Sequence, residues 1–273
     1  MQQTKTILVS WLLIVLCGSS GFATSQLPDR LIYKGDTLAI FANPLEQLYE
    51  NDSLAASFFG KKQGCESTAC WRSYVAEWQI IENQLYLIGI YSCCFYSDTI
   101  QANLKSLFGN NYIDGKVKAD WVSQHIIAPK GKLLYYIHNG YSSVYEKETE
   151  FQIEKGKLIA IHTYDNSKSK QSIYSQDSKK LWAHIYKEIN WEKLPQKDLK
   201  NEPKVILSFT GNEMGVVDSV IVLRGYNELF DQEAIRVAKT IPEWDVYFRR
   251  GKFERRKWKI TIFFSEEKRE EYK

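Results

Sequence analysis

Residues 218–244 read DSVIVLRGYNELFDQEAIRVAKTIPEW and place a strand, a corner and a helix in direct succession. The β-branched and aliphatic run predicts the strand, and Gly225 predicts the corner, because glycine tolerates backbone angles that other residues avoid. The apolar residues that follow recur at helical spacing and predict an amphipathic helix. Pro242 ends this helix, because the residue before a proline avoids helical geometry. The helical stripe consists of Phe230, Ala234, Val237, Ala238 and Ile241.

Two further strands flank this unit along the chain. KVILSFT, which begins at Lys204, precedes it, and RKWKITIFF, residues 256–264, follows it with alternating apolar and polar side chains. The order β-β-α-β predicts a small antiparallel sheet that one helix covers on one face. We assign this arrangement to residues 177–273. The residues of the final strand that face the helix are Trp258, Ile260, Ile262 and Phe264.

The chain before this unit is rich in hairpin patterns. Turns are predicted at residues 34–36 and 82–84, and from Asn111 onward Gly-Lys pairs recur at turns before alternating apolar residues, including one at Gly131. Short helices are expected from Asn43 to about Phe59 and over residues 98–107. The polar stretch 165–180 reads as a connecting loop. The predicted fold class is therefore α+β, with a β-rich domain over residues 27–165 and the ββαβ domain over residues 177–273.

The first 25 residues have the pattern of a secretory signal peptide. Lys5 precedes an apolar run over residues 7–17, and small residues with a Gly-Phe-Ala cleavage site at 21–23 follow it. The run is shorter than the roughly 20 apolar residues of a membrane span. Two alternatives stay open: an uncleaved signal anchor over residues 7–23, and lipid attachment at Cys17. The expected location is the periplasm, or the inner membrane if the segment is retained.

Export makes the cysteines interpretable as disulfides. Cys65, Cys70, Cys93 and Cys94 form an even set, and oxidising compartments favour disulfides. Three pairings are possible, and the bond between the neighbours Cys93 and Cys94 is disfavoured because it is strained. Bridges from Cys65 and Cys70 to the 93–94 pair would attach a loop to a strand end. A metal site or redox pair is not expected, because no Cys-x-x-Cys spacing occurs and the histidines are scattered.

Charge and motifs exclude several function classes. The net charge of +3 on 273 residues is too small to indicate a polyanionic partner. The basic run FRRGKFERRKWK, residues 248–259, is interleaved with aromatics, as in nucleic-acid-binding stripes, but export argues against such a partner and favours a solvated face or attraction of an acidic peptide. No nucleophile elbow, metalloprotease helix or phosphate loop is present. The chain is not expected to be an enzyme, and no catalytic, cofactor-binding or metal-binding residues are predicted.

Residues 180–264 resemble the C-terminal domain of TonB-type energy transducers, especially the versions common in Bacteroidota. The similarity lies in GVVDSVIVLRG at residues 215–225, FDQEAIRVAKTIPEW at 230–244, Gly-Lys at 251–252 and a final strand that ends in ITIFF. Trp191 and Pro195 are a loose equivalent of the Tyr-Pro element of that family. The N-terminal domain resembles no family that we identify.

This resemblance implies both a partner and a site. Members of the family carry energy from a proton-driven motor in the inner membrane to outer-membrane receptors, and their C-terminal domain grips an extended receptor segment that adds to the sheet as a strand. Strand addition uses main-chain groups at a sheet edge. In a sheet with its last strand outermost, the resemblance carries the site to Arg256, Lys257, Trp258, Lys259, Ile260, Thr261 and Ile262.

Departures from the family pattern shape the functional prediction. The family's anchoring helix has a serine followed four residues later by a histidine, whereas here Ser10 is followed by Ile14, and a long proline-rich spacer is missing from a chain with 6 prolines. We therefore predict a periplasmic protein that binds a receptor peptide in TonB-dependent transport. One alternative is a membrane-anchored transducer that works with inner-membrane motor proteins. Another is a structural or ligand-sensing envelope protein, in which the first domain or the tail SEEKREEYK covers the strand edge.

Overall fold

The computed structural model describes residues 25–48, 58–59 and 67–273. The signal segment with its two alternatives, the greater part of the helix expected up to Phe59, and Cys65 lie outside the described residues. Within the described part, no helix combines the length and the apolar character that a membrane crossing requires. The mixture of helices and several sheets, whose strands pair mostly antiparallel, confirms the α+β class.

The N-terminal part, residues 25–165, has nine strands among its described residues. The first hairpin turns at residues 34–35, and the second turns at Glu82 and Asn83, whose positive φ angles of 50° and 63° form the tight reversal expected there. The strands are β1 Asp29–Tyr33, β2 Asp36–Ile40, β3 Tyr74–Ile81, β4 Gln84–Ser92, β5 Tyr112–Ile113, β6 Lys116–Lys118, β7 Gln124–Tyr135, β8 Val144–Glu154 and β9 Lys157–Asp165.

These strands form one curled sheet. Its order is β2-β1-β3-β4-β9-β8-β7, with β6 on β4 and β5 on β6, and only β1 and β3 run parallel among the described pairs. The two ends of the path approach each other, because the Phe41 amide donates to the Ile127 carbonyl at 2.7 Å. The apolar side chains on the inner surface therefore share one core, in which Leu31, Trp78 and Phe151 are almost completely buried.

A buried ion pair lies at the start of this sheet. The side chains of Asp29 and Arg72 are 0% and 1% exposed and their charged atoms lie 3.2 Å apart. The Asp29 carboxylate also accepts hydrogen bonds from the Ala76 amide at 3.0 Å and the Trp78 indole at 3.1 Å. Burial raises the pKa of Asp29 to about 6 although Arg72 opposes the rise. The pair thus holds β1 to β3 at a large desolvation cost that its partners offset.

The C-terminal part, residues 177–273, contains a three-stranded sheet with the order β11-β10-β14. Three helices, α4 Ser178–Glu188, α6 Glu228–Ala238 and α7 Glu266–Tyr272, pack on one face of it. Phe230, Leu207 and Ile262 are buried between the layers. The short hairpin β12-β13, which the sequence did not predict, lies between α6 and β14. The strands are β10 Lys204–Gly211, β11 Val217–Arg224, β12 Phe248–Arg249, β13 Lys252–Phe253 and β14 Trp258–Phe263.

Seven short α-helices connect or cover these strands in the described residues. They are α1 Phe95–Asp98, α2 Leu104–Phe108, α3 Ile173–Gln176, α4 Ser178–Glu188, α5 Gln196–Leu199, α6 Glu228–Ala238 and α7 Glu266–Tyr272, with 3-10 turns at Pro44–Leu48, Gly109–Asn111 and Trp191–Lys193.

Three local predictions were wrong. The expected turn at Gly131 does not occur, because β7 continues through it with an irregular register and a φ of 85°. The helix expected from Asp98 starts instead at Leu104, because the Asn103 side chain accepts from the Ser106 amide at 3.1 Å and caps it. Asp98 itself accepts from the Ile100 amide at 2.8 Å and ends α1.

The third wrong prediction concerns the stretch 165–180, which was expected to be a connecting loop. It contains the helix α3 and forms hydrogen bonds with both parts of the chain. The Asn166 side chain donates to the Tyr145 carbonyl at 3.0 Å and accepts from the Gly251 amide at 2.9 Å. Lys170 and Val246 exchange two main-chain bonds of 3.0 Å each. Two separate clusters of buried apolar side chains lie on either side of this segment, which therefore connects two cores and sets their relative position.

The buried ion pair generates the first prediction. Arg72→Met leaves the Asp29 carboxylate buried without its counter-charge, and we expect a loss of about 3–5 kcal/mol in the free energy of unfolding at pH 8. The pKa of Asp29, about 6 in the folded protein and 3.8 ordinarily, rises further without Arg72. The loss should therefore shrink at pH 5, where the carboxyl is protonated in both proteins. Urea unfolding at the two pH values measures it.

The matched control is the double variant Arg72→Met with Asp29→Asn. Without a carboxylate to isolate, it should lose less stability than the sum of the two single variants. Additive losses with no dependence on pH would contradict the account of the pair.

Candidate functional site

The final strand of the C-terminal sheet, β14, lies at an edge. Its neighbour is β10, with Trp258 opposite Phe209 and Phe263 opposite Lys204, and no other described strand pairs with it. The strand starts two residues later than the predicted site and extends one residue further, so Arg256 and Lys257 precede it and Phe263 belongs to it.

The main-chain groups of β14 divide into two rows. The Phe264 amide donates to the Pro203 carbonyl at 2.8 Å, which continues the β10–β14 ladder by one position. Because the direction of these groups alternates along an antiparallel strand, residues 258, 260 and 262 also face β10. The N–H and C=O groups of Lys259, Thr261 and Phe263 then point outward. Within the described part of the chain, no main-chain partner meets them.

Side-chain burial on β14 follows the alternation predicted from the sequence. Ile260 and Ile262 are buried against the helical layer, whereas Lys259 is exposed on the opposite face and Phe263 is 48% exposed there. The inner row of side chains thus fixes the register, because a slip by one residue would move every apolar side chain to the solvent face. The outward row of main-chain groups is held in place by the same packing.

A concave surface lies at each end of this edge. We call the one at the beginning of β14 the interunit cleft; it has a volume of about 490 Å³, and its walls are residues 133–137 of the N-terminal part and Gln171, Ser175, Gln176, Asp245, Arg256 and Trp258. We call the other the helical cleft; it has a volume of about 470 Å³ and is lined by Ser178, Lys179, Trp182, Tyr186, Phe263, Lys268 and Tyr272. An extended segment along β14 would therefore meet a recess at either end.

The basic run around β14 is divided between structural and exposed charges. Arg255 donates to both carboxylate oxygens of Asp218 at 2.7 and 2.8 Å and lowers the pKa of that carboxyl. Arg256 stacks 3.2 Å above the ring of Tyr247, and Lys259 projects from the exposed face of the strand. The edge therefore has a positive environment to which Arg255 contributes little.

The C-terminal tail lies beside the edge without pairing with it. Ser265 caps α7 by accepting from the Lys268 amide at 3.2 Å. Tyr272 of this helix packs against Tyr186 of α4 with ring centres 5.5 Å apart, and Lys268 lies 5.6 Å above the same ring. The tail thus forms a wall of the helical cleft, and it leaves the outward main-chain row of β14 without a strand partner in the described structure.

Trp191 and Pro195, the loose family equivalents, have structural positions. Trp191 is buried, and its indole donates to the Tyr186 carbonyl at 3.0 Å while its ring meets Phe264 at 6.2 Å. Pro195 precedes α5 with a φ of −63°. Both hold the connection from α4 to β10 and neither belongs to the strand edge.

The cysteines are placed at one end of the N-terminal sheet. Cys70 and Cys93 form a disulfide with an S–S distance of 2.08 Å, as one of the expected pairings requires. Cys94 is disulfide-bonded as well. The Cys70–Cys93 bond joins the segment before β3 to the end of β4 and thus has the stapling role expected of it. Among the described residues, no cluster of metal-binding side chains occurs.

Contacts between the two parts include residues that the sequence analysis missed. The Glu150 carboxylate on β8 lies 3.2 Å from His125 and 3.8 Å from Arg250, and it accepts from the Tyr164 hydroxyl at 2.7 Å. Burial raises the pKa of its neighbour Glu148. The sequence does show two glutamates, Glu148 and Glu150, on one face of a strand and two adjacent arginines at 249–250. No local pattern in the sequence indicates that the glutamates and the arginines lie close together.

Neither a family model, nor a curated protein, nor a solved structure matches this chain.

The alternation on β14 generates the second prediction. Ile262→Ala empties a fully buried position and should lower the free energy of unfolding by about 2–5 kcal/mol. Phe263→Ala, one residue on, removes a half-exposed ring and should cost about 1 kcal/mol or less. Urea unfolding of both variants measures the difference, and equal losses would contradict the orientation of the strand.

Proposed function

We propose that this chain binds an extended peptide of an outer-membrane receptor by strand addition to β14, as a periplasmic component of TonB-dependent transport. The observation that carries the proposal is the outward main-chain row of Lys259, Thr261 and Phe263, which has no strand partner in the described structure. A guest strand satisfies those groups and gains main-chain hydrogen bonds that depend little on its sequence.

Three further features support strand addition at this edge. The register of β14 is fixed by buried side chains, so the outward row is preorganised for a partner. The two clefts give side chains of a guest peptide places to insert. Lys259 supplies positive charge on the exposed face, which favours acidic peptides and speeds their association.

The opposite edge, β11, is also open, and Ile221 and Leu223 are exposed on it. Between the two edges, β14 is the better candidate because both clefts adjoin it. The resemblance of residues 180–264 to transducer domains supports the same choice. A peptide-binding role at β14 and a purely structural role make opposite predictions about variants of Thr261.

The third prediction concerns Thr261. Thr261→Pro removes an outward N–H while every bond to β10 is kept, and a proline is tolerated at such an edge position. The ligand is the tightest-binding peptide from an array that tiles the N-terminal segments of TonB-dependent receptors. We expect its affinity for the variant to fall at least about tenfold, because one main-chain hydrogen bond is lost and the proline ring adds steric bulk. Thr261→Val keeps the N–H and should bind like the wild type. Fluorescence anisotropy with the full oxidised chain measures both.

The probes are 12-residue peptides that tile the N-terminal segments of TonB-dependent receptors. In the selected peptide, methylation of one set of alternate backbone amides should abolish binding, and methylation of the other set should not, because only one set faces β14. If Thr261→Pro binds as tightly as the wild type, the guest uses another edge and the proposal is wrong. If no peptide binds at high micromolar concentration, the structural role is favoured.

A further inference from the structure

The interunit cleft continues the edge of β14. Trp258 is the first residue of this strand and also part of the cleft wall. An extended peptide that pairs along β14 and continues past Trp258 therefore enters a space bounded on its other side by residues 133–137 of the N-terminal part. The cleft volume of about 490 Å³ is enough for several side chains.

The far wall of the cleft is held in a fixed position relative to β14. Tyr135 projects from the end of β7, and its hydroxyl lies 2.5 Å from the Lys170 carbonyl and 3.1 Å from the Val246 carbonyl. Its ring packs against Tyr247 with centres 5.0 Å apart. On the same segment Leu133 and Tyr136 are 46% and 57% exposed. The wall thus combines an anchored residue with two apolar side chains that remain accessible.

Arg256 is a partly exposed cation in the lining of this cleft. Its guanidinium stacks on the ring of Tyr247 and is 33% exposed. Among the described residues its ion pair is with Glu254, at 3.9 Å. No hydrogen bond to a described residue uses its N–H groups, although a guanidinium carries five. The nearby Asp245 interacts with Arg256 through charge, but its carboxylate accepts its hydrogen bonds from the Ser172 amide at 2.7 Å and the Ser175 hydroxyl at 2.6 Å. A carboxylate from outside is the group that complements these donors.

We propose, as an extension of the strand-addition function above, that the bound peptide runs past Trp258 into the interunit cleft and places an acidic side chain on Arg256. Leu133 and Tyr136 of the N-terminal part then contact the same segment. The N-terminal part thereby makes binding selective for the sequence of the peptide beyond the segment that pairs with β14. The ligand class is an extended peptide with a carboxylate just outside its pairing segment.

The test uses the array peptide with the highest affinity, extended at either end by three glutamates or by three glutamines. For one end, the glutamate extension should bind about tenfold tighter than the glutamine extension, which is the effect of one charge-assisted hydrogen bond. Arg256→Gln should abolish this preference, whereas Arg256→Lys should keep part of it. Lys252→Gln is the matched control, because this exposed charge on β13 lies outside both β14 and the lining of the cleft, and it should preserve the preference.

A second readout is independent of charge. A benzophenone amino acid placed in the same extension should crosslink to residues 133–137, and Tyr136→Ser together with Leu133→Ser should lower the affinity of the extended peptide but not of the unextended one. Crosslinks confined to residues after 177, or a glutamate preference that survives Arg256→Gln, would overturn the inference. Strand addition itself would stand in either case if Thr261→Pro still lowers the affinity of the unextended peptide about tenfold. If the wild-type chain binds no receptor peptide at all, both strand addition and the inference about the cleft are overturned.

Discussion

The packing of Ile260, Ile262 and Phe264 beneath the helical layer is the interaction on which the arrangement of the C-terminal part depends. These side chains are buried on one face of β14, and their burial fixes the register between β14 and β10. Since side chains and main-chain groups alternate together, the same burial determines which N–H and C=O groups face β10 and which face outward. The open row at residues 259, 261 and 263 is thus a consequence of the core rather than a separate surface feature.

The two parts of the chain are joined by more than a linker. Asn166 bonds to Tyr145 on one side and Gly251 on the other, and the Tyr135 hydroxyl lies within hydrogen-bond distance of the carbonyls of Lys170 and Val246. These are polar contacts to main-chain groups, which are directional and tolerate little displacement. The relative placement of the N-terminal sheet and β14 is therefore specified, and a site that uses both parts requires no rearrangement of one against the other.

Much of the fold was accessible from the sequence where the pattern was local. The hairpin turning at Glu82 and Asn83, the helix through Phe230 and the alternation of β14 follow from spacing alone, because period and turn chemistry are encoded within a few residues. The turn predicted at Gly131 was wrong, because a glycine within a long strand permits an irregular register as readily as a turn. The predicted helix start at Asp98 was wrong because two residues that can cap a helix, Asp98 and Asn103, lie close together in the sequence. The Asp98 side chain accepts from the Ile100 amide, and Asn103 caps the helix instead. Contacts such as Tyr135 with Val246 join distant residues, and no local pattern reports them. The edge strand was therefore predictable, whereas the cleft beside Arg256 required the structure.

The order in which β10, β11 and β14 occur along the chain has a consequence for biosynthesis. β10 and β11 form a hairpin as soon as both have left the ribosome, but β14 emerges only after α6 and the β12-β13 hairpin. During that interval the central strand β10 exposes an unpaired margin with Val205, Leu207 and Phe209, all of which the finished protein buries. Unpaired strand margins of this kind are templates for aggregation. Nascent chains paused before Trp258 are accordingly the form of this protein in greatest need of a chaperone.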